Sequence, residues 1–100
     1  MQTEFEWDPE KAASNKLKHG VSFQSAIRTF HDPHSLLELE RHTEGEERWQ
    51  TIGMADGQFL LMVVHTNYEF DDLEIVRIIS ARLATNPERR RYEKNRYGSI

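Results

Sequence analysis

No cysteine occurs among the 100 residues, which excludes disulfides and thiolate metal sites and fits a reducing compartment. Long apolar runs are missing as well. The longest, Phe59-Leu60-Leu61-Met62-Val63-Val64, falls far short of the roughly 20 residues a membrane helix needs. The opening residues, Met1-Gln2-Thr3-Glu4-Phe5-Glu6, lack the charged and apolar regions of a signal peptide. Together these features point to a cytoplasmic protein. There is no Gly-rich phosphate loop, nucleophile elbow or HExxH motif, so the chemistries those motifs carry find no support. Repeats, low-complexity tracts and linkers are absent too, and a chain of this length makes one domain, 1–100.

What is present is an uneven distribution of charge. The net charge is −4, yet residues 77–97 hold seven Lys/Arg against two Glu, a local balance of +5. Residues 1–76 hold six Lys/Arg against fifteen Asp/Glu, a balance of −9. An acidic protein with one basic pole suggests a surface for a negatively charged partner, a phosphate backbone or an acidic protein segment. The acidic total argues against indiscriminate nucleic-acid binding.

Each of the three prolines marks an element boundary. Asp8-Pro9-Glu10 is a helix start with cap, first-turn proline and acid in register, and Gly20 after Lys18-His19 stops that helix. Ser22 caps a second helix, in which Phe23, Ala26, Ile27 and Phe30 make an apolar stripe, and Asp32-Pro33 ends it. Asn86-Pro87-Glu88 opens a third helix. Between them the pattern reads as strands: a short one at 5–7, then 35–41, 48–54, 59–66 and 73–84, with turns at 43–47, 55–58 and 67–72. The order β-α-α-β-β-β-β-α predicts the α+β class, an antiparallel sheet with two N-terminal helices and a C-terminal helix packed on it.

Several residues can carry chemistry. Lys11, Asn15 and Lys18 share one face of the first helix, with His19 beside them and Ala13 and Leu17 opposite; they make a phosphate-binding stripe or a solvated face. Arg77 has the parity of Ile79 and Ala81, Arg82 that of Ile78 and Ser80, so a regular strand sends the two to opposite faces unless a bulge intervenes. An arginine among isoleucines needs solvent, a ligand phosphate or an internal acid such as Glu47 or Glu74. Glu47-Arg48 at a strand start could orient a nucleophile and hold a phosphate, or be a surface pair worth little. His65 is an acid–base candidate, or a satisfied core histidine. His31-Asp32-Pro33-His34 lacks a third ligand, so no metal is expected. Arg89-Arg90-Arg91 is a charge run on the last helix, a solvated face or a partner surface.

The combination Phe5-Glu6-Trp7-Asp8, Lys11, Asn15, Lys18-His19-Gly20-Val21-Ser22-Phe23, Ala26 and Phe30-His31-Asp32 resembles the start of the BrnT toxins. Glu47-Arg48, Gly53, Val63-Val64-His65-Thr66, Arg77 to Ala84 and Glu88-Arg89-Arg90-Arg91-Tyr92 are similar to the rest of that pattern, in order and over nearly the whole chain. The resemblance implies a RelE-like fold and a ribonuclease toxin of a type II toxin–antitoxin pair that arrests translation and growth. It implies a BrnA antitoxin, a ribbon-helix-helix protein that forms a heterotetramer with the toxin and through which the pair meets operator DNA. It further implies RNA cleavage with no metal or other cofactor, the ribose 2′-oxygen attacking the adjacent phosphate. On that reading Arg77 and Arg82 stabilise charge, Glu47 or His65 is the base, and Lys18, His19, Lys11 and Arg48 hold RNA. Arg48 also orients Glu47, and Arg89, Arg90, Arg91 and Tyr92 meet the antitoxin. Two other readings stay open: a non-catalytic module that only binds an antitoxin or DNA-binding partner, and a gyrase poison of the ParE kind on the same fold.

Overall fold

The computed structural model describes residues 2–43 and 45–98, with the backbone alone for residues 41–43. The element order is β1 (Gln2–Glu6), α1 (Pro9–His19), α2 (Phe23–Thr29), β2 (Leu36–Thr43), β3 (Glu46–Ala55), β4 (Phe59–Phe70), β5 (Leu73–Leu83) and α3 (Asn86–Tyr97). This is the expected α+β order. The five strands form one sheet in the order β1-β5-β4-β3-β2. Strands β2 to β5 run as an antiparallel meander, while β1 joins the far edge parallel to β5.

Local chemistry sets the helix ends. The Asp8 side chain accepts from the Glu10 amide, and Gly20 closes α1 in the left-handed region at φ 72°. Ser22 accepts from the Ser25 amide at the start of α2. The cap of α3 is Thr85, one residue before the expected Asn86. Thr85 and Glu88 form a reciprocal capping box, which satisfies two backbone donors that the first turn leaves free.

Two turns differ from expectation. Strand β4 runs on to Phe70, so the turn read at 67–72 shrinks to Asp71-Asp72, both at positive φ. Aspartate tolerates that region, and two such residues in a row suit a tight hairpin. The turn expected at 43–47 is also tighter, since β2 reaches Thr43 and β3 begins at Glu46; Glu44 lies outside the described residues.

Each face of the sheet carries its own core. Helices α1 and α2 cover one face, where Val21, Phe23, Ala26, Leu61, Val63, Ile78 and Ala81 are buried. Helix α3 covers part of the other through Tyr92 against Ile52, Leu60 and Met62. Burying one such large side chain is worth about 1.5–3 kcal/mol. Among the described residues, no helix lies over the rest of this second face, towards β1 and the β4–β5 hairpin. Among the same residues, no helix is long and apolar enough to cross a membrane.

Candidate active site

Register decides which side chains meet. Strand β5 slips against β4 between Val64 and His65: Val64 pairs with Ser80, but His65 pairs with Ile78. Ile79 is thus an extra residue, a bulge that reverses the alternation. Thr66 pairs with Arg77 and Met62 with Arg82, and paired residues share a face. Arg77 and Arg82 therefore lie on the same face of the sheet, the one that α3 only partly covers. Simple parity had placed them on opposite faces.

A row of side chains crosses that open face. Glu6 on β1 pairs with Arg77 on β5, which pairs with Thr66 on β4. Arg48 on β3 continues the row, because the next residue, Trp49, pairs with His65. Arg48 and Arg77 are thus two strand spacings apart, about 10 Å at the backbone, with the short Thr66 between them. The Arg77 guanidinium donates to Glu6 Oε2 at 3.0 Å, and the Tyr68 hydroxyl donates to Glu6 Oε1 at 3.1 Å. The Arg77 and Glu6 side chains stay 45% and 37% exposed, so water competes for this pair. Loss of hydration, together with the Glu6 carboxylate, pushes the Tyr68 phenol above its ordinary range. Arg48 is held more loosely still, 4.0 Å from Glu46.

Arg82 is in a different state. Its guanidinium makes a two-pronged bridge to Glu88 at 2.8 and 2.9 Å, and Glu88 also accepts from the Thr85 amide. The bridge raises Arg82 and, against the cost of burial, holds Glu88 below the usual carboxylate range. Arg82 thus ties α3 to the sheet. Arg91 is likewise bridged to Glu38, at 3.0 and 3.1 Å. The internal acids expected for the strand arginines, Glu47 and Glu74, are not their partners.

Other expected residues lie elsewhere. His65 sits on the helix-covered face, 1% exposed, with its ring edge-on to Phe30 at 4.9 Å between centroids. Its Nδ1–H donates to Asn67 Oδ1 at 2.6 Å, the tautomer that an amide oxygen demands, and its Nε2 accepts from the Thr51 hydroxyl at 2.8 Å. Burial lowers its pKa, so the ring stays neutral. Glu47 is exposed and has the parity of Trp49, so it faces the His65 side; Arg48 points the other way and does not orient it.

The stripe expected on α1 is also revised. Asn15 is buried at 6% exposure, where it donates to Val21 O and Ala81 O and accepts from the Ala81 amide. Leu17, opposite that stripe, is 91% exposed. Lys11, Lys18 and His19 are exposed, on the helix that covers the other side of the sheet from Arg77. Tyr92 is a core residue, 3% exposed, and offers no surface to a partner, whereas Arg89 and Arg90 are exposed. Among the described residues, no three His, Asp or Glu converge on a position that would hold a metal ion.

The sequence reading missed Glu6 and Tyr68. They lie 71 and 9 residues from Arg77 along the chain, and only the parallel pairing of β1 brings Glu6 to it.

The family described as ribonuclease toxin, BrnT, of type II toxin–antitoxin system matches residues 7–88. The crystal structure of the Brucella abortus ribonuclease toxin BrnT is similar to this chain at 20% identity. The match covers 86% of this chain and 100% of that one, with a TM-score of 0.61. At that identity the likeness shows the fold. No curated protein matches the chain.

Proposed function

The chain belongs to the BrnT family, the ribonuclease toxins of type II toxin–antitoxin systems, and from that premise we propose that it cuts RNA on the open face of the sheet, at Arg77 and Arg48, without a metal ion. It is an endoribonuclease whose partners are RNA and an antitoxin. Its nucleophile is the substrate's own ribose 2′-hydroxyl, so the protein must supply a base, a cation for the charge growing on the phosphate, and a grip on the strand.

The observation that carries this reading is the pair of lightly held guanidiniums on one uncovered face. A phosphate settling over Thr66 lies within reach of both. Arg77 exchanges its contact with Glu6, and Arg48 its loose contact with Glu46, for non-bridging phosphate oxygens. An arginine fork matches those oxygens in shape and charge. Arg82, committed to Glu88, keeps α3 in place and does not bind the strand. Glu47 and His65 face the opposite side and take no part in the proton transfer; Lys11, Lys18 and His19 are set aside as RNA ligands on the same ground. Cleavage leaves a 2′,3′-cyclic phosphate and a 5′-hydroxyl.

The test is cleavage of single-stranded RNA by purified toxin in excess EDTA. Wild type cuts, and Arg77→Ala is slower by about 10²–10³-fold, the loss typical of one electrostatic stabiliser. Cleavage that stops in EDTA and returns with a divalent ion would overturn the metal-free route.

The antitoxin is of the BrnA type, a ribbon-helix-helix protein that forms a heterotetramer with the toxin and brings it to operator DNA. It meets the outer face of α3 at Arg89 and Arg90. Charge reversal at both weakens the complex in a titration; unchanged affinity places the antitoxin elsewhere.

A further inference from the structure

We infer that Glu6 is the general base of the cleavage reaction and that Tyr68 is its positioning residue; this rests on the placement of the RNA phosphate at Arg77. The attacking 2′-oxygen must approach the phosphorus to about 3–3.5 Å before it reacts. Its base must sit about 2.6–3.2 Å from that oxygen. A base therefore has to lie within a few ångströms of the guanidinium that grips the phosphate. Glu6 is 3.0 Å from Arg77.

The other carboxylates of this face fit less well. Glu88 is filled by two contacts from Arg82 and one from the Thr85 amide. Glu38 takes both Arg91 and Gln50. Glu46 stands beyond Arg48, at the outer end of β3. Glu4 lies one row away, beside Ile75. In Glu6 each oxygen holds a single partner, and each keeps a lone pair for a proton.

The arrangement also survives substrate entry. When Arg77 turns to the phosphate, Glu6 loses one partner, but the Tyr68 hydroxyl still holds Oε1. The carboxylate stays oriented, with Oε2 free to receive a proton. That proton leaves the 2′-hydroxyl for Glu6 as the 2′-oxygen–phosphorus bond forms and the phosphorus–5′-oxygen bond breaks. The departing 5′-oxygen takes a proton from water, and the hydroxide left behind takes the proton from Glu6. The carboxylate is restored and no redox partner is required.

The experiment measures single-turnover cleavage of a single-stranded RNA transcript in EDTA, together with binding of the same strand made uncleavable by 2′-O-methylation. Glu6→Gln is expected to slow cleavage about 10²–10³-fold, the range for a positioned base, while affinity for the methylated strand is kept or tightened. Glu6→Asp recovers part of that loss. Tyr68→Phe slows the single-turnover rate about tenfold with affinity for the methylated strand unchanged, as expected for a group that only orients the base. Retained binding also reports that each variant is folded. If Glu6→Gln cuts at nearly the wild-type rate while Arg77→Ala is inactive, Glu6 is not the base and the phosphate site stands. If Arg77→Ala cuts normally, the phosphate site itself is wrong, and the role given to Glu6 falls with it.

Discussion

Asp32 pins three parts of the chain with one carboxylate. Its Oδ1 accepts from the His34 amide at 2.8 Å, and its Oδ2 accepts from the Met54 amide at 2.8 Å and the Tyr92 hydroxyl at 2.6 Å. Burial opposes its charge, but the three donors together win and hold it below the usual carboxylate range. The same contact works on Tyr92, whose pKa burial and the Asp32 charge push up to about 12. The phenol therefore keeps its proton in the folded protein at a pH where the unfolded chain, near 10, has begun to lose it. The contribution is complete below about pH 10 and is lost as pH rises towards about 12, a change of roughly 2–3 kcal/mol. Tyr92→Phe should cost about 1.5–3 kcal/mol near neutral pH, since it removes a donor from a charged acceptor. It should also flatten the alkaline fall in stability. Urea denaturation at neutral and alkaline pH checks both; parallel pH profiles for wild type and variant would mean that Tyr92 does not sense Asp32.

Elements are joined at a few points, and two of these invite prediction. Glu88 belongs both to the capping box of α3 and to the bridge with Arg82. Glu88→Ala should destabilise by about 2–4 kcal/mol, the sum of a lost cap and a lost charged contact, and hydrogen exchange should rise first in α3. Because Glu88 is held below its ordinary pKa, its share of stability is present above the unfolded carboxylate range and lost as pH falls through the folded value. The second point is Gly53, where α2 crosses β3. A Cβ there would meet Thr29 O at 2.9 Å and Ser35 Cβ at 3.2 Å. Gly53→Ala should therefore cost about 1–3 kcal/mol by thermal melting. The contrast with the caps shows what a sequence displays at this scale. Asp8, Ser22 and Gly20 act on atoms within four residues of themselves, so their roles are readable from neighbours alone. Asn15 is not readable this way, because its acceptor and donor on Ala81 lie 66 residues away, and helical spacing places it with the lysines. The bulge at Ile79 is equally silent. One extra isoleucine beside Ile78 leaves no mark on the pattern, yet it decides that Arg77 and Arg82 share a face.

At the scale of the whole molecule, the open face carries no large excess of charge despite its arginines. Arg48, Arg77, Arg82 and Arg91 each stand beside a carboxylate, and no Lys or Arg occurs between Arg48 and Arg77. With a net charge of −4, long-range attraction for RNA is weak, and binding must come from local exchange of ion pairs for phosphate contacts. The looser pairs, at Arg48 and Arg77, exchange most readily, while the two-pronged bridges of Arg82 and Arg91 hold. Each phosphate neutralised on a single strand contributes a slope of about −0.7 to the plot of log affinity against log salt concentration. Two exchanging arginines give about −1.4, and four would give about −2.8. The measurement is a salt titration of the toxin on an uncleavable 2′-O-methyl strand. The double variant Arg48→Ala/Arg77→Ala should lose nearly all the salt dependence, whereas Arg82→Ala should leave the slope unchanged while lowering stability. A slope near −2.8 in the wild type would show that the carboxylates beside Arg82 and Arg91 release them to RNA, and the division of the four arginines into binding and structural pairs would be wrong.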